Sequence, residues 1–381
     1  MLNYKKREKM KILILVNHYN TLRIFRRELL QRLSALGHEL IVSLPETDEE
    51  NKSIIESYGC RIVIEPQMQR RGNNPVKDLA LLKNYVRLIR QVKPDKVISY
   101  TIKCNIYGAE AAKICKVPCY CNVTGLGSSF QQENFTKKMV SAMYKFSMNK
   151  AKKVIFENVG NRDTFLEMGL IKKEQAVVMA GAGVNIEEFY AAPYPPEDEI
   201  RFIFVGRIMA EKGVDELFYA IQKLKSEYDN LQFDFIGWYE DDYEATVNEL
   251  QEKGFIIFYG FQPNVKPFIE KAHCVILPSW HEGMSNTLLE GASMGRPLIT
   301  NNIHGCMEAV EEGKNGFLAK LKDKESLYEA LKRFVELPYA QKRQMGIYSR
   351  EYVTAHFEKG MVVQKTIEVI FEQEQTEHTN D

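Results

Sequence analysis

CVILPSWHEGMSNTLLEGASMGRPLIT, residues Cys274 to Thr300, reads as strand, turn, helix and strand in one pass. CVILPS is an uninterrupted apolar run, as expected of a strand covered on both faces. HEG is a turn, SNTLLEGASMG has helical spacing, and PLIT is a second buried run. Ser285 or Asn286 can cap the helix and Gly295 can end it. Two strands joined through a helix make a parallel pair, so this stretch predicts a doubly wound α/β sheet.

The same alternation extends in both directions. Upstream, RFIFVGR precedes a helix near Val214 to Tyr228, FDFIGW a helix near Tyr243 to Lys253, and FIIFYG a helix near Val265 to Lys271; PLITN and GFLAK follow. The chain finishes in amphipathic helices over Leu327 to Leu337 and Met361 to Glu374. In the first half KILILVN, ELIVSL, RIVIEP, KVISY, PCYCNVTG, KVIFEN and AVVMAGAG alternate with helices near Phe25 to Leu36, Glu49 to Tyr58, Val76 to Val92, Asn105 to Cys115 and Phe135 to Lys150. Between the two series VNIEEFYAAPYPPEDE, Val184 to Glu199, has three prolines and a cluster of acids and reads as a linker. The expectation is two tandem Rossmann-like domains, 1–186 and 187–360, with residues 361–381 as a terminal helix. Ligands of such sheets lie at the C-terminal strand ends, and two facing sheets would make a cleft.

The 381 residues are 45% apolar and 27% charged, the balance of a globular protein. MLNYKKREKMK has no signal-peptide core and no apolar run reaches membrane-spanning length, so a cytoplasmic location is expected. The seven cysteines lack zinc-site spacing; Cys119 and Cys121 would share a strand face as reduced thiols. The formal charge of zero hides an asymmetry, because residues 1–190 hold 31 Lys and Arg against 19 Asp and Glu. A basic half suits nucleic acid, an anionic membrane leaflet or a phosphorylated substrate, or is compensated by an acidic partner domain. No recognition motif for RNA or DNA accompanies the charge.

Two crossings carry chemistry. In VGRIMAEKG, Val205 to Gly213, Gly206 lets the chain turn, Arg207 and Lys212 place two cations between a strand and a helix, and Gly213 stands at the helix entry. Such a helix N-terminus suits a diphosphate, although the stretch is neither a Walker A loop nor GxGxxG. In the opening stretch Glu282 lies at or before the helix cap, with Glu290 about two turns into the helix. That spacing does not force a hydrolytic acid/base pair; it suits two carboxylates accepting hydrogen bonds from hydroxyls at the two ends of one ligand. An ordinary surface turn and a solvated helix face remain the plain alternatives.

VGRIMAEKG, PSWHEGMSNTLLEGASMGRPLIT and IHGCMEAVEEGKNGFLA together resemble glycosyltransferase family 4, retaining enzymes of the GT-B fold that use nucleotide sugars. The resemblance implies that Arg207 and Lys212 bind the donor diphosphate, Glu282 the hydroxyls of the donor sugar, and Glu290 the ribose. Gly206 belongs to the same crossing, and the backbone amides of Gly283, Met284, Ser285 and Asn286 would face the sugar and distal phosphate. It also implies that the last helix crosses back onto the first domain.

SYTIKCNIYGAEAAKICKVPCYCNVTGLGSSF, Ser99 to Phe130, is similar to bacterial capsule, O-antigen and glycan-assembly transferases. These move galactose, N-acetylgalactosamine or a related sugar from a UDP donor to a polyprenyl-diphosphate-linked saccharide. NHYNTLRIFR replaces the family's glycine-rich loop and its His-x-Pro motif is absent. The acceptor side is therefore read from position after strands: Asn17 and His18, the cations Arg26, Arg27 and Lys103, and Thr124, Gly125 and Gly127. KKMVSAMYKFSMNKAKK mixes cations with apolar residues as a membrane-surface helix does, although any helix on a sheet also buries such a face. The expectation is a retaining hexosyltransferase, cytoplasmic and peripheral to the inner membrane face. Its partners are a UDP-sugar and a lipid-linked acceptor, not nucleic acid. With no DxD pair and two cations available for the diphosphate, neither a metal nor another cofactor is implied. A UDP-sugar epimerase and a non-catalytic nucleotide-sugar-binding protein are the alternatives.

Overall fold

In a computed structural model, the apolar runs become parallel strands in two compact units, residues 1–182 with 362–381 and residues 183–361. The structure describes residues 9–68, 75–127, 130 and 135–372. The extreme N-terminal residues, Ser128, Ser129 and the residues from 373 onward, all of which entered the sequence reading, lie outside these.

The first unit runs β1 (Lys11–Leu15), α1 (Arg27–Ala35), β2 (Glu39–Leu44), α2 (Glu49–Ser57), β3 (Cys60–Ile64), α3 (Pro75–Val92), β4 (Lys96–Tyr100), α4 (Ala109–Cys115), β5 (Cys119–Val123), α5 (Phe135–Met148), β6 (Lys153–Phe156), α6 (Val159–Glu167) and β7 (Ala176–Val178). Its sheet order is β3-β2-β1-β4-β5-β6-β7, so the winding reverses between β1 and β4. Those central strands register Ile12 on Lys96 and Ile14 on Ile98. One sheet face is covered by α3, α4, α5 and α6 through Leu81, Tyr85, Ala112, Tyr144 and Phe165. The other is covered by α1 and α2 through Leu29, Leu33 and Ile55, together with Val363, Ile367, Ile370 and Phe371 from the last helix. Cys119 and Cys121 share a buried face, their sulfurs 3.7 Å apart.

The second unit runs β8 (Ile200–Val205), α7 (Val214–Lys225), β9 (Leu231–Ile236), α8 (Glu244–Glu252), β10 (Ile256–Phe258), α9 (Lys266–Ile269), β11 (Cys274–Leu277), α10 (Asn286–Ser293), β12 (Leu298–Asn301), β13 (Gly316–Ala319), α11 (Lys324–Glu336), α12 (Tyr339–Phe357) and α13 (Lys359–Phe371), whose end belongs to the first unit. The sheet order is β10-β9-β8-β11-β12-β13, reversing between β8 and β11. This is the doubly wound arrangement expected of the sequence, twice over.

Two helices escape the sequence pattern. α6 is capped by Asn158, whose side chain accepts from the Asn161 amide, but buries only Asn161 and Phe165. α12 turns a mixed face inward, with Lys342, Gly346 and Ser349 beside Met345, Val353 and Phe357: a Cβ on Gly346 would come within 2.3 Å of the Gly295 carbonyl, and the buried Lys342 ammonium donates to the Val335 carbonyl. Neither presents an uninterrupted apolar stripe to find.

The proline-rich stretch is not a free linker. Fully buried Arg296 donates to the carbonyls of Ala192 and Pro193, and Arg350 to those of Ile186 and Phe189. Tyr339 donates to the Pro195 carbonyl. The segment is strapped along the second unit by side chains more than 70 residues away in sequence.

Candidate functional site

In the second unit the site forms at the switch point, where β8 and β11 end side by side. After β8 the chain turns at Gly206, makes a short 3-10 turn over Ala210–Lys212 and enters α7 through Gly213. Gly213 has φ +70°, and a Cβ there would lie 2.0 Å from the Pro278 carbonyl oxygen. Only glycine lets this crossing touch the one that follows β11. The Trp280 amide then donates to the Glu211 carbonyl at 2.9 Å, tying the two crossings together.

The side chains meet at the same place. Lys212 Nζ pairs with Glu282 Oε1, and the Ser279 hydroxyl donates to that same oxygen at 2.9 Å. Burial alone would raise the Glu282 carboxyl; the Lys212 charge and the two hydrogen bonds outweigh it and hold the group below the usual carboxylate range. Arg207 is only loosely engaged, 3.7 Å from Glu240 and one-third exposed. His281 lies in the field of Arg207, Glu211, Lys212 and Glu282, with Nε2 3.4 Å from Glu211. Burial holds its imidazole below the ordinary histidine value, and its Nδ1 is buried without a hydrogen-bond partner.

The turn at Glu282 is braced from β12. Asn301 Nδ2 donates to the Pro278 and Ser279 carbonyls at 2.7 and 3.1 Å, and the Ser285 amide donates to the Gly305 carbonyl at 2.8 Å. Gly305 has φ +91°, and a Cβ there would come within 2.7 Å of the carbonyl oxygens of Glu282 and Gly283. The Ser285 hydroxyl caps α10 by accepting from the Leu288 amide. The Ser285 amide already has the Gly305 carbonyl as its acceptor, and one expectation is corrected: α10 begins at Asn286, so Glu290 is its fifth residue rather than two turns in. Gly283 and Met284 are buried in the turn, and Asn286 is half-buried at the helix start.

Half-buried Glu290 lies apart from the Lys212–Glu282 pair. Burial pushes its carboxyl up to about 8, with Lys359 pulling it down and Glu188 pushing it further up. Lys359 enters this neighbourhood because its amide donates to the Val184 carbonyl, holding the start of α13 beside the start of the strap. Among residues the sequence reading missed, Gly305 stood inside the quoted IHGCMEA stretch. Ser279, His281, Asn301, Glu188 and Lys359 had no signal beyond neighbourhood.

In the first unit the residues expected on the acceptor side follow β1, β4 and β5. Asn17 and His18 are half-buried after β1, and the His18 Nδ1 accepts from the Asn20 amide. NHYNTLRIFR forms a π-helical turn over Thr21–Phe25, and a second follows β4 over Cys104–Gly108. Such wide turns recur at functional positions. Thr101 lies between β4 and the second turn at φ +73°, a strained conformation for a β-branched residue. Thr124 is half-buried, and Gly125 and Gly127 have φ of +145° and +69°.

The cations there are already balanced. Arg26 pairs with Glu157 at 2.8 Å, both nearly buried, and its guanidinium lies over Tyr100. Lys103 pairs with Asp78 at 2.8 Å, and Arg27 with Glu28 at the same distance. Asn105 does not line an opening: it is fully buried, accepting from Ser99 and donating to the Asn122 carbonyl. Among the described residues no group of three His, Cys, Asp or Glu side chains is placed to hold a metal, and no helix is long and apolar enough to cross a membrane.

The chain matches the family model described as Glycosyl transferase 4-like over residues 11–158 and that described as Glycosyl transferases group 1 over residues 199–336. It is 25% identical over 334 residues to the N,N'-diacetylbacillosaminyl-diphospho-undecaprenol alpha-1,3-N-acetylgalactosaminyltransferase of Campylobacter jejuni subsp. jejuni serotype O:2, covering 82% of this chain and 86% of that one. It is 25% identical to the UDP-Gal:alpha-D-GlcNAc-diphosphoundecaprenol alpha-1,3-galactosyltransferase of Escherichia coli, covering 70% and 73%. A crystal structure of a glycosyltransferase from Rickettsia africae superimposes with a TM-score of 0.78 at 19% identity, covering 97% of this chain and all of that one.

Proposed function

Because the chain belongs to the 4-like and group 1 glycosyl transferases, we propose that it moves a hexosyl unit from a UDP-sugar to a polyprenyl-diphosphate-linked saccharide, with retention at the anomeric carbon. Galactose and N-acetylgalactosamine are the favoured units, since the Campylobacter and Escherichia relatives are named for them and for undecaprenyl-diphosphate acceptors. The observation that carries the reading is the meeting of Lys212 and Glu282 where the crossings after β8 and β11 touch, with Arg207 on the first crossing beside Glu240 and Glu290 on α10.

The second unit is assigned the donor. Arg207 and Lys212 face the diphosphate, Glu282 accepts from donor-sugar hydroxyls, and Glu290 accepts from the ribose. As the bond from the anomeric carbon to the phosphate oxygen breaks, both cations meet the charge that develops on the leaving diphosphate. The acceptor hydroxyl forms the new bond on the same face, and its proton passes to the departing phosphate oxygen. No protein nucleophile and no metal enters this scheme. The first unit is assigned the acceptor through Asn17, His18, Thr124 and Gly125, with Arg26 and Lys103 reassigned to bracing. Transfer to a lipid-linked saccharide places the work at the inner membrane face, without nucleic acid.

UDP release with purified polyprenyl-diphosphate saccharides and a panel of UDP-sugars, with and without chelator, tests the reading. Product formed with one donor and acceptor, unaffected by chelator, is expected; donor conversion in the absence of any acceptor would overturn it.

A further inference from the structure

The outer face of the α3–α4–α5 layer carries charge and apolar surface that the transfer reaction does not use. These helices hold eight lysines and arginines, Lys77, Lys83, Arg87, Arg90, Lys113, Lys137, Lys138 and Lys145, against the two acids Asp78 and Glu110. Both acids are already paired, with Lys103 and Lys113. Lys83, Arg87, Arg90, Lys138 and Lys145 make no ion pair among the described residues, and all five are exposed. Their charges are open to an anionic partner.

Large apolar side chains stand out among these cations. Val76 is 78% exposed, Leu79 53%, Ile114 46% and Phe146 64%, on helices whose inner sides fill the core through Leu81, Tyr85, Ala112, Val140 and Tyr144. The exposed set is continuous. Leu82, Val86, Lys83, Arg87 and Arg90 of α3 line a groove of about 510 Å³ with Ile114 of α4. From α4, Lys113 reaches α5, its ammonium 4.1 Å over the Phe146 ring and bonded to the Phe146 carbonyl. Leu79, Lys83, Arg87 and Arg90 recur at three- and four-residue spacing along one stripe of α3.

We propose that this face docks on an anionic phospholipid bilayer, with Phe146, Ile114 and Leu79 entering the headgroup boundary and the unpaired cations meeting lipid phosphates. Long lysine and arginine stems let the charges remain at headgroup level while the apolar groups dip below. A polyanionic nucleic acid would meet the charges but leave these side chains in water. A protein partner would not need so one-sided a charge. The inference rests on the lipid-linked acceptor reading and supplies its membrane contact. It also extends the surface from α5, the helix singled out in the sequence, to α3 and α4.

The test is sedimentation of the full chain with vesicles of phosphatidylglycerol and phosphatidylethanolamine, against vesicles of phosphatidylcholine, at low and high salt. Preferential binding to the anionic vesicles, weakened by salt, is expected. The triple variant Lys83→Glu, Arg87→Glu, Lys145→Glu and the single variant Phe146→Ser should each lower that binding, the triple by at least about tenfold. Turnover on a short-chain, water-soluble acceptor should be unchanged in both. Equal binding to the two vesicle types, variants that bind as the parent does, or tighter retention of single-stranded RNA through the same residues would overturn the proposal. Transfer to a soluble acceptor without vesicle binding removes this surface and leaves the transferase; vesicle binding through these residues without transfer does the reverse.

Discussion

Lys212 and Glu282, 70 residues apart in sequence, share one ion pair where the two crossings of the second sheet meet. The lysine assigned to the diphosphate and the glutamate assigned to the sugar therefore act as one unit. Glu282→Gln releases Lys212 toward the diphosphate, so UDP affinity should hold or rise while transfer slows. Lys212→Met removes the cationic partner of the Glu282 carboxylate, which keeps the Ser279 hydroxyl, and should cost roughly 1–3 kcal/mol of stability, part of which the double variant Lys212→Met, Glu282→Gln recovers. Transfer should fall roughly 100-fold on loss of either Lys212 or Arg207. Calorimetry with UDP and denaturant titration check these, and weaker UDP binding by Glu282→Gln would sink the pairing argument.

Glu290 makes the protein sensitive to pH in a stated direction. Its folded carboxyl holds the proton up to about 8 against an ordinary 4.5. The native state thus binds more protons than the unfolded one between these values, and stability falls as pH rises across that window. Glu290→Gln should be more stable than the parent at pH 8.5 and nearly equal to it at pH 4. In the parent, UDP affinity should rise from pH 7 to 9 as the carboxylate forms to accept from the ribose, and the glutamine variant should show a flatter profile. Thermal melts and calorimetry across pH read both, and a parent no less stable than the variant at pH 8.5 would contradict the assignment.

Arg26 belongs to the frame of the first unit. Its pair with Glu157 and its position over Tyr100 predict that Arg26→Ala lowers stability by roughly 3–5 kcal/mol, because a nearly buried carboxylate loses its cationic partner. Replacing both partners, as in Arg26→Met with Glu157→Gln, should cost less. Urea unfolding distinguishes this from an acceptor role, in which KM for the acceptor would rise with stability unchanged.

Gly305 sets the turn at Glu282 from a neighbouring loop. Gly305→Ala must move the carbonyls of Glu282 and Gly283 or break the hydrogen bond from the Ser285 amide. Weaker UDP-sugar binding is expected, with UDP itself much less affected because Glu290 and Arg207 lie elsewhere. Equal losses for the two ligands would show that the whole nucleotide site had shifted.

The doubly wound order of both sheets was legible because each strand is a short apolar run and most helices show an apolar stripe. α6 and α12 were not, since the one buries little and the other interrupts its buried Met345, Val353 and Phe357 with glycine, serine and a buried lysine. At the site, Arg207, Lys212, Glu282 and Glu290 were readable as chemistry at two crossings. That Lys212 and Glu282 meet depends on Gly213 passing against Pro278, a tertiary contact with no local pattern. In the first unit spacing reveals the charges of Lys103 and Arg26 but not their pairing, because Asp78 and Glu157, which balance them, lie 25 and 131 residues away.

The strap on the second unit decides where that unit can be cut out. A fragment started at Ile200, where the strand pattern resumes, would lose the carbonyls of Ile186, Phe189, Ala192 and Pro193 that receive the Arg296 and Arg350 guanidiniums. Arg296 would then keep only the carbonyls of Ile269, Glu270 and Gly295, with a side chain fully buried and its acidity already displaced to about 10 by burial. A fragment started at Gly183 retains every one of these acceptors. The stretch that looks most dispensable in the sequence is thus the counterpart of one buried and one half-buried cation, and excision has to follow the hydrogen bonds rather than the prolines.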